Sequence, residues 1–397
     1  MKFFLEKCAA LFLVLSFVFI PLTLNGKDWQ FQLTNFLFLK LVALLQNSFY
    51  PKALKNIDFS SDTIALNLLL SILVFIAFTI VLFLKTLKVK TNKLLPISRV
   101  ICCYYIAFIL LDYGFNKIFK AQFYLPEPNI LFTPFGNLTK DILYWSTLGT
   151  SRFYCISMGI IEVLAAIFIL FKPTRILGLF LAIAVFSNVI LINFGFDISV
   201  KTFSIFLLCT SLFAIFPYLK ILFNFLILHN LDQLPTINQV VISNTFIKTW
   251  VKFSVIGLFF IHIVYPYFQS QNFNDDSYKR PFLHGAYQVT QIIKDKDTLS
   301  KANFPIKNIF IHRKNYLIFQ GNNNQMTDYH FEIDSKNHIL LLENYSKNKI
   351  SVPFEFSPKD STFKLQFKKF FIETKAINWK KSPALKITNH YTIDEIQ

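Results

Sequence analysis

The sequence predicts an α-helical multi-span membrane bundle of about seven transmembrane helices followed by a small soluble all-β domain. Three observations predict it. Long uncharged apolar runs recur through residues 1–270, the chain turns abruptly polar after Phe268, and apolar residues in the tail then alternate with polar ones. Composition agrees: 54% of the 397 residues are hydrophobic and 16% are charged, against about 25% charged in soluble domains. The 49 phenylalanines are more than one soluble core would bury, and lipid accommodates the surplus.

A helix needs about 20 mostly apolar residues to cross the hydrocarbon core. Seven stretches qualify: Cys8 to Leu24, Ile64 to Leu84, Ile97 to Phe119, Phe153 to Phe171, Ile176 to Phe196, Thr202 to Pro217, and Phe253 to Phe268. The first follows Lys2 and Lys7 and has no small-x-small cleavage site before Trp29, so it reads as a retained anchor rather than a cleaved signal. Phe31 to Tyr50, interrupted by Lys40 and Gln46, reads as an amphipathic helix lying at the interface. The chain divides accordingly into N-terminal spans and an interfacial segment (1–96), a four-helix membrane core (97–217), an interfacial helix with the last span (218–270), and a β-rich domain (271–397).

Orientation follows from the basic loop Lys85, Lys88, Lys90, Lys93 and Arg99, which should remain cytoplasmic; Lys172, Arg175, Lys220, Lys248 and Lys252 fall on the same side. Seven spans then put the C-terminal domain outside the cytoplasm. In that domain Val352, Phe354 and Phe356, then Phe363, Leu365 and Phe367, alternate with polar residues as half-buried strands do. Turn clusters at 321–324, 334–337 and 357–360 divide it into five or more short strands, predicting an antiparallel meander or a small open barrel.

Ionisable and amide side chains inside spans are costly and mark candidate sites. On this topology Asp112, Tyr113, Lys117, Asn188, Asn193, Asp197 and Lys201 gather toward the outer half of the bundle, with Glu162 deeper, near the midplane. They outline a polar pocket opening outward, and the proline-rich, apolar connection from Ala121 to Ser151 is composed to lie over it as a lid. A purely structural reading stands beside this one: Asp112 with Lys117, or Asp197 with Lys201, pair to make burial tolerable. Glu162 has no cation close in sequence, which makes it the proton-exchange candidate unless a distant partner such as Lys117 meets it.

Other chemistries find little support. The net charge of +17 is spread over both regions and accompanies no nucleic-acid-binding motif, so the predicted partners are lipid and other membrane proteins, and not nucleic acid. Among seven histidines only His262 lies in a span, so a bis-His haem lacks its ligands. His312, His330, His338 and His390 have no metal-site spacing, and no HExxH, CxxC, Walker or GxGxxG pattern occurs. The five cysteines lie in or beside apolar runs; adjacent Cys102 and Cys103 read as small apolar fillers. No residue is assigned a catalytic or metal-binding role.

Several strings resemble the DoxX family of bacterial membrane proteins, and more closely its longer members with extra spans and a β-rich tail. They are Arg99 opening a span; Asp112-Tyr113-Gly114-Phe115-Asn116-Lys117; Gly159-Ile160-Ile161-Glu162; Lys172-Pro173-Thr174-Arg175-Ile176-Leu177-Gly178; and Asn193-Phe194-Gly195-Phe196-Asp197-Ile198-Ser199-Val200-Lys201. The resemblance covers about residues 97–217 and implies a four-helix module in a bacterial inner membrane, with contact to quinones or a thiol-redox pathway and no catalytic residues to carry over. Three functions follow as expectations: a non-enzymatic envelope accessory protein, a quinone-linked redox module, or a small-solute or proton-coupled carrier.

Overall fold

The computed structural model describes residues 2–22, 29–51, 57–60, 62–229, 245–295 and 297–386. They form two compact units, one from residues 1–122 and 153–273, the other from 123–152 and 274–397.

The first unit is helical. Its elements are α1 (Lys2–Phe19), α2 (Trp29–Phe49), α3 (Ile64–Thr86) and α4 (Leu94–Ile118), then α7 (Arg152–Leu170), α8 (Arg175–Gly195), α9 (Lys201–Ile215), α10 (Leu219–Leu226) and α11 (Thr245–Ser270); α5 (Pro128–Leu131) and α6 (Lys140–Thr150) lie in the intervening excursion. Six helical stretches among the described residues are long and apolar enough to cross a membrane: Ile64–Thr86, Leu94–Ile118, Arg152–Leu170, Arg175–Gly195, Lys201–Leu226 and Phe246–Ser277. They match the second to seventh expected spans and make this a multi-pass membrane protein. The helix built on the first expected span, α1, starts six residues earlier than Cys8 and takes in Lys2, Glu6 and Lys7; it is not among the six.

α1 nevertheless packs into the helical unit, against α3 and α4. Ala10, Leu13, Phe17 and Ile20 are buried at helical spacing, and Phe17 stacks on Tyr105 with ring centroids 3.9 Å apart. Its first turns meet the α3–α4 connection: Lys7 Nζ donates to Thr91 Oγ1 at 2.7 Å, Arg99 pairs with Glu6 at 3.2 Å, and Phe4 packs on Phe78. Arg99 also lies over Phe213 near the end of α9, and Lys252 of α11 lies over Phe171 just past α7. One end of the unit therefore collects Lys7, Lys85, Arg99 and Lys252. At the α7–α8 corner of that end, Thr174 Oγ1 donates to the Phe168 carbonyl and Arg175 Nε to the Ile169 carbonyl, satisfying acceptors that the end of α7 leaves open.

The second unit contains nine antiparallel strands, β1 (Gly285–Lys294), β2 (Asp297–Thr298), β3 (Ile306–Ile311), β4 (Tyr316–Gly321), β5 (Met326–Asp334), β6 (Ile339–Glu343), β7 (Lys349–Ser357), β8 (Thr362–Gln366) and β9 (Phe370–Ile377). The expected open barrel is corrected: β9 returns to pair with β1, Ala286 opposite Ile377, and closes an eight-stranded barrel with β2 as a two-residue flap on β1. Closure needs a bend, and a bulge in β1 between Val289 and Gln291 supplies it. All three anticipated turn clusters are hairpin corners, joining β4 to β5, β5 to β6 and β7 to β8. Asp334 makes one of them by accepting the backbone N–H groups of Lys336 and Asn337 at 3.1 and 3.2 Å.

Val352, Phe354, Phe363 and Leu365 point inward as their alternation predicted, and with Leu317, Phe331, Leu340, Leu342 and Ile372 they fill the barrel. A second apolar layer forms outside β1, β3 and β4, where Ala286, Phe310, Ile318 and Trp379 pack with Leu131, Phe132 and Leu385. The connection expected to cover a membrane pocket is thus partly used as the outer cover of the barrel. His390 lies outside the described residues.

Candidate functional site

In the helical unit the site begins with two glycines. At their crossing, α4 and α7 approach so closely that a Cβ on Gly159 would stand 2.6 Å from the Gly114 carbonyl, and one on Gly114 2.9 Å from the Gly159 carbonyl. Such small residues allow backbone contact where no hydrophobic effect drives helices together. One turn beyond Gly114 comes Lys117, and three residues beyond Gly159 comes Glu162. The crossing brings them together.

Lys117 Nζ reaches both carboxylate oxygens of Glu162, at 2.8 and 3.0 Å, with side chains 10% and 3% exposed. The distant cation that would give Glu162 a structural role is therefore in place, and the carboxyl is not the unpaired group expected from local sequence. Tyr113 presents its ring to the same ammonium at 5.5 Å. Around the pair, Cys155 Sγ lies 3.5 Å from the Lys117 carbonyl, Asn116 Nδ2 donates to the Asp112 carbonyl at 2.8 Å, and Tyr267 of α11 donates to Asn116 Oδ1 at 2.6 Å.

Asn193, Asp197 and Lys201 form a separate group where α8 turns into α9. Asn193 Nδ2 donates to Ser204 Oγ at 3.1 Å, and Lys201 pairs with Asp197 at 2.7 Å. The expectation of a buried acid fails at Asp197, which lies in the turn between the helices, at positive φ, with its side chain 83% exposed. Asn188 is exposed on α8, and Asp112 is half-buried. The eight predicted residues thus divide into the buried pair of Lys117 and Glu162 with Tyr113 and Asp112 beside it, a corner group of Asn193, Asp197 and Lys201, and Asn188 apart from both.

The corner has a member that sequence reasoning missed as a functional group. The carboxylate of Asp62 accepts the backbone N–H groups of Lys201 and Thr202 at 2.9 and 2.7 Å, capping the start of α9 from 139 residues away.

A larger polar cluster lies in the barrel unit. Glu127 accepts from Arg313 Nε at 2.6 Å and meets His284 Nε2 at 2.7 Å; Asp275 takes Arg313 Nη2 at 2.6 Å and Arg280 Nη2 at 3.0 Å. The Arg313 guanidinium also lies 3.9 Å from the Tyr124 ring centroid. Burial alone would raise the Glu127 pKa, but hydrogen bonding and charge from His284, with the charges of His312 and Arg313, hold it at about 2. Asp275 is likewise held low against its burial by Arg280 and Arg313, while burial lowers His312. With every carboxylate facing a guanidinium or an imidazole, the cluster ties the 123–132 segment to the barrel. The one signal for it in the sequence is an acid set between Pro126 and Pro128 in an apolar connection.

Against known proteins, 108 residues of the chain are 32% identical to the uncharacterized protein YwoB of Bacillus subtilis strain 168, a match covering 27% of this chain and 68% of that protein. The chain belongs to the YwoB family. No family model matches it, and no solved structure does. The YwoB relationship concerns a minority of this chain, so the architecture described above rests on the chain's own residues.

Proposed function

We propose that the protein is a non-catalytic accessory protein of the bacterial inner membrane, DoxX-like in its four-helix core, which holds a β-barrel on the extracytoplasmic side. The observation carrying this reading is the Lys117–Glu162 pair. An ammonium that occupies both carboxylate oxygens of a buried acid, at a glycine crossing with no space between the helices, suits a cross-link between α4 and α7 better than a group exchanging protons. Counting α1 as a first span beside the six gives this orientation, and the collection of Lys7, Lys85, Arg99 and Lys252 at one end of the helical unit supports it, as positive-inside bias expects of a cytoplasmic face.

The test separates structure from chemistry. Removing one partner strands the other charge, so Lys117→Met lowers stability by about 3–5 kcal/mol, whereas the apolar double variant Lys117→Met/Glu162→Leu recovers most of it. Thermal unfolding of detergent-purified protein reads both changes. Mass spectrometry of retained small molecules, wild type beside the double variant, reads the alternative: a quinone held by wild type and lost from a folded double variant would replace the accessory role with a quinone-linked one.

A further inference from the structure

α2 carries its polarity inside out. Of its five buried residues, Gln30, Thr34 and Gln46 are polar, and only Phe38 and Val42 are apolar. Between its ends the outward positions hold Phe36, 85% exposed, Leu37, Leu39, Leu41 and Leu44, with Lys40 the one charge in the helix, while the exposed polar residues Gln32, Asn47 and Ser48 lie toward its two ends. A helix resting on a globular surface in water turns its polar residues outward. The reverse order belongs to helices whose surroundings are apolar and whose interior holds the polar partners.

The inward polar groups have a specific task. Gln30 Nε2 donates to the Phe17 carbonyl at 3.1 Å and its Oε1 accepts from the Leu22 N–H at 3.1 Å, while Thr34 Oγ1 donates to the Phe19 carbonyl at 2.8 Å. The Phe17 and Phe19 carbonyls are open acceptors at the end of α1, which water would satisfy if that end stood in water. At 18 residues α1 is about 27 Å long, short of the roughly 30 Å hydrocarbon core. Capping by side chains is what such an end needs where water is absent.

The course of α2 follows from the same contacts. Gln30, Thr34 and Phe38 all meet α1 between Phe17 and Leu22, so α2 crosses the end of α1 and does not run back beside it as a span would. It also packs on α3, whose outward Phe75 and Phe83 belong to a helix apolar enough to span. The exposed face of α2 is thereby apolar beside a helix that spans.

We infer that α2 is a membrane-embedded helix crossing the end of α1, with Phe36, Leu44 and Phe49 against lipid acyl chains and Lys40 extended to headgroup phosphates. The occupant of this face is lipid, not a second protein.

The full wild-type chain tests this in liposomes of phosphatidylethanolamine and phosphatidylglycerol containing a phospholipid with a diazirine in its acyl chain. After photolysis, peptide mapping should find carbene adducts at Phe36, Leu44 and Phe49 to the same extent as at Phe75 and Phe83, and hydroxyl-radical footprinting should leave those three residues unmodified while oxidising Tyr345 of the barrel. Radical oxidation of Phe36 and Leu44 equal to that of Tyr345 would place the face in water and overturn the inference. Protection from both reagents would mean that a protein covers it, which overturns it equally.

Discussion

Glu127 illustrates how one side chain comes to depend on its setting. Its ordinary value near 4.5 is depressed to about 2 because His284 and Arg313 reward the ionised form more than burial penalises it. A depressed carboxyl contributes stability that is complete above its unfolded value and disappears as pH falls through its folded one. The barrel unit should therefore lose stability between about pH 4.5 and pH 2, and Glu127→Gln should flatten that slope while lowering stability at neutral pH; denaturant titrations of the full chain followed by tryptophan fluorescence, with Trp29, Trp145 and Trp250 replaced by Phe so that Trp379 reports alone, check both. Little of this was legible beforehand. Lys117 and Glu162 were both visible as costly residues in apolar helices, but they are 45 positions apart, Arg313 is 186 from Glu127, and no local pattern pairs residues across such separations. Asp197 shows the opposite failure: its neighbours are apolar, yet a turn exposes it.

Elements were easier to read, because their periods are local. Six spans and the inward strand residues Val352, Phe354, Phe363 and Leu365 followed from apolar length and alternation. Closure of the barrel was not legible, since it depends on a bulge in β1 and on pairing with a strand about 80 residues later. Two predictions belong at this scale. Gly159→Ala forces a methyl against the Gly114 carbonyl and should lower the thermal midpoint, whereas Gly257→Ala, which meets nothing within 4 Å inside α11, should leave it unchanged or raise it. Scanning fluorimetry in one detergent compares them directly. In the barrel, Phe331→Ala at a position 1% exposed should cost about 3–5 kcal/mol, measured by the same denaturant titration.

For the whole molecule, the orientation is checked by reporter fusions. Alkaline phosphatase joined after Lys386 should be active and a fusion within the Lys88–Lys93 connection inactive; the reverse result would turn the protein over in the membrane. The barrel unit is also discontinuous in sequence, since residues 123–152 belong with residues 274–397. That arrangement governs the order of assembly. A ribosome adding about 5–20 residues per second emits Glu127 some 10–40 s before the arginine that will hold it, 186 positions later. During that interval four further membrane helices must be inserted while Leu131 and Phe132 wait without a surface to cover. The nascent chain thus carries an unfinished patch while those helices are made, and a segment of 274–397 made alone would emerge lacking the piece that completes it.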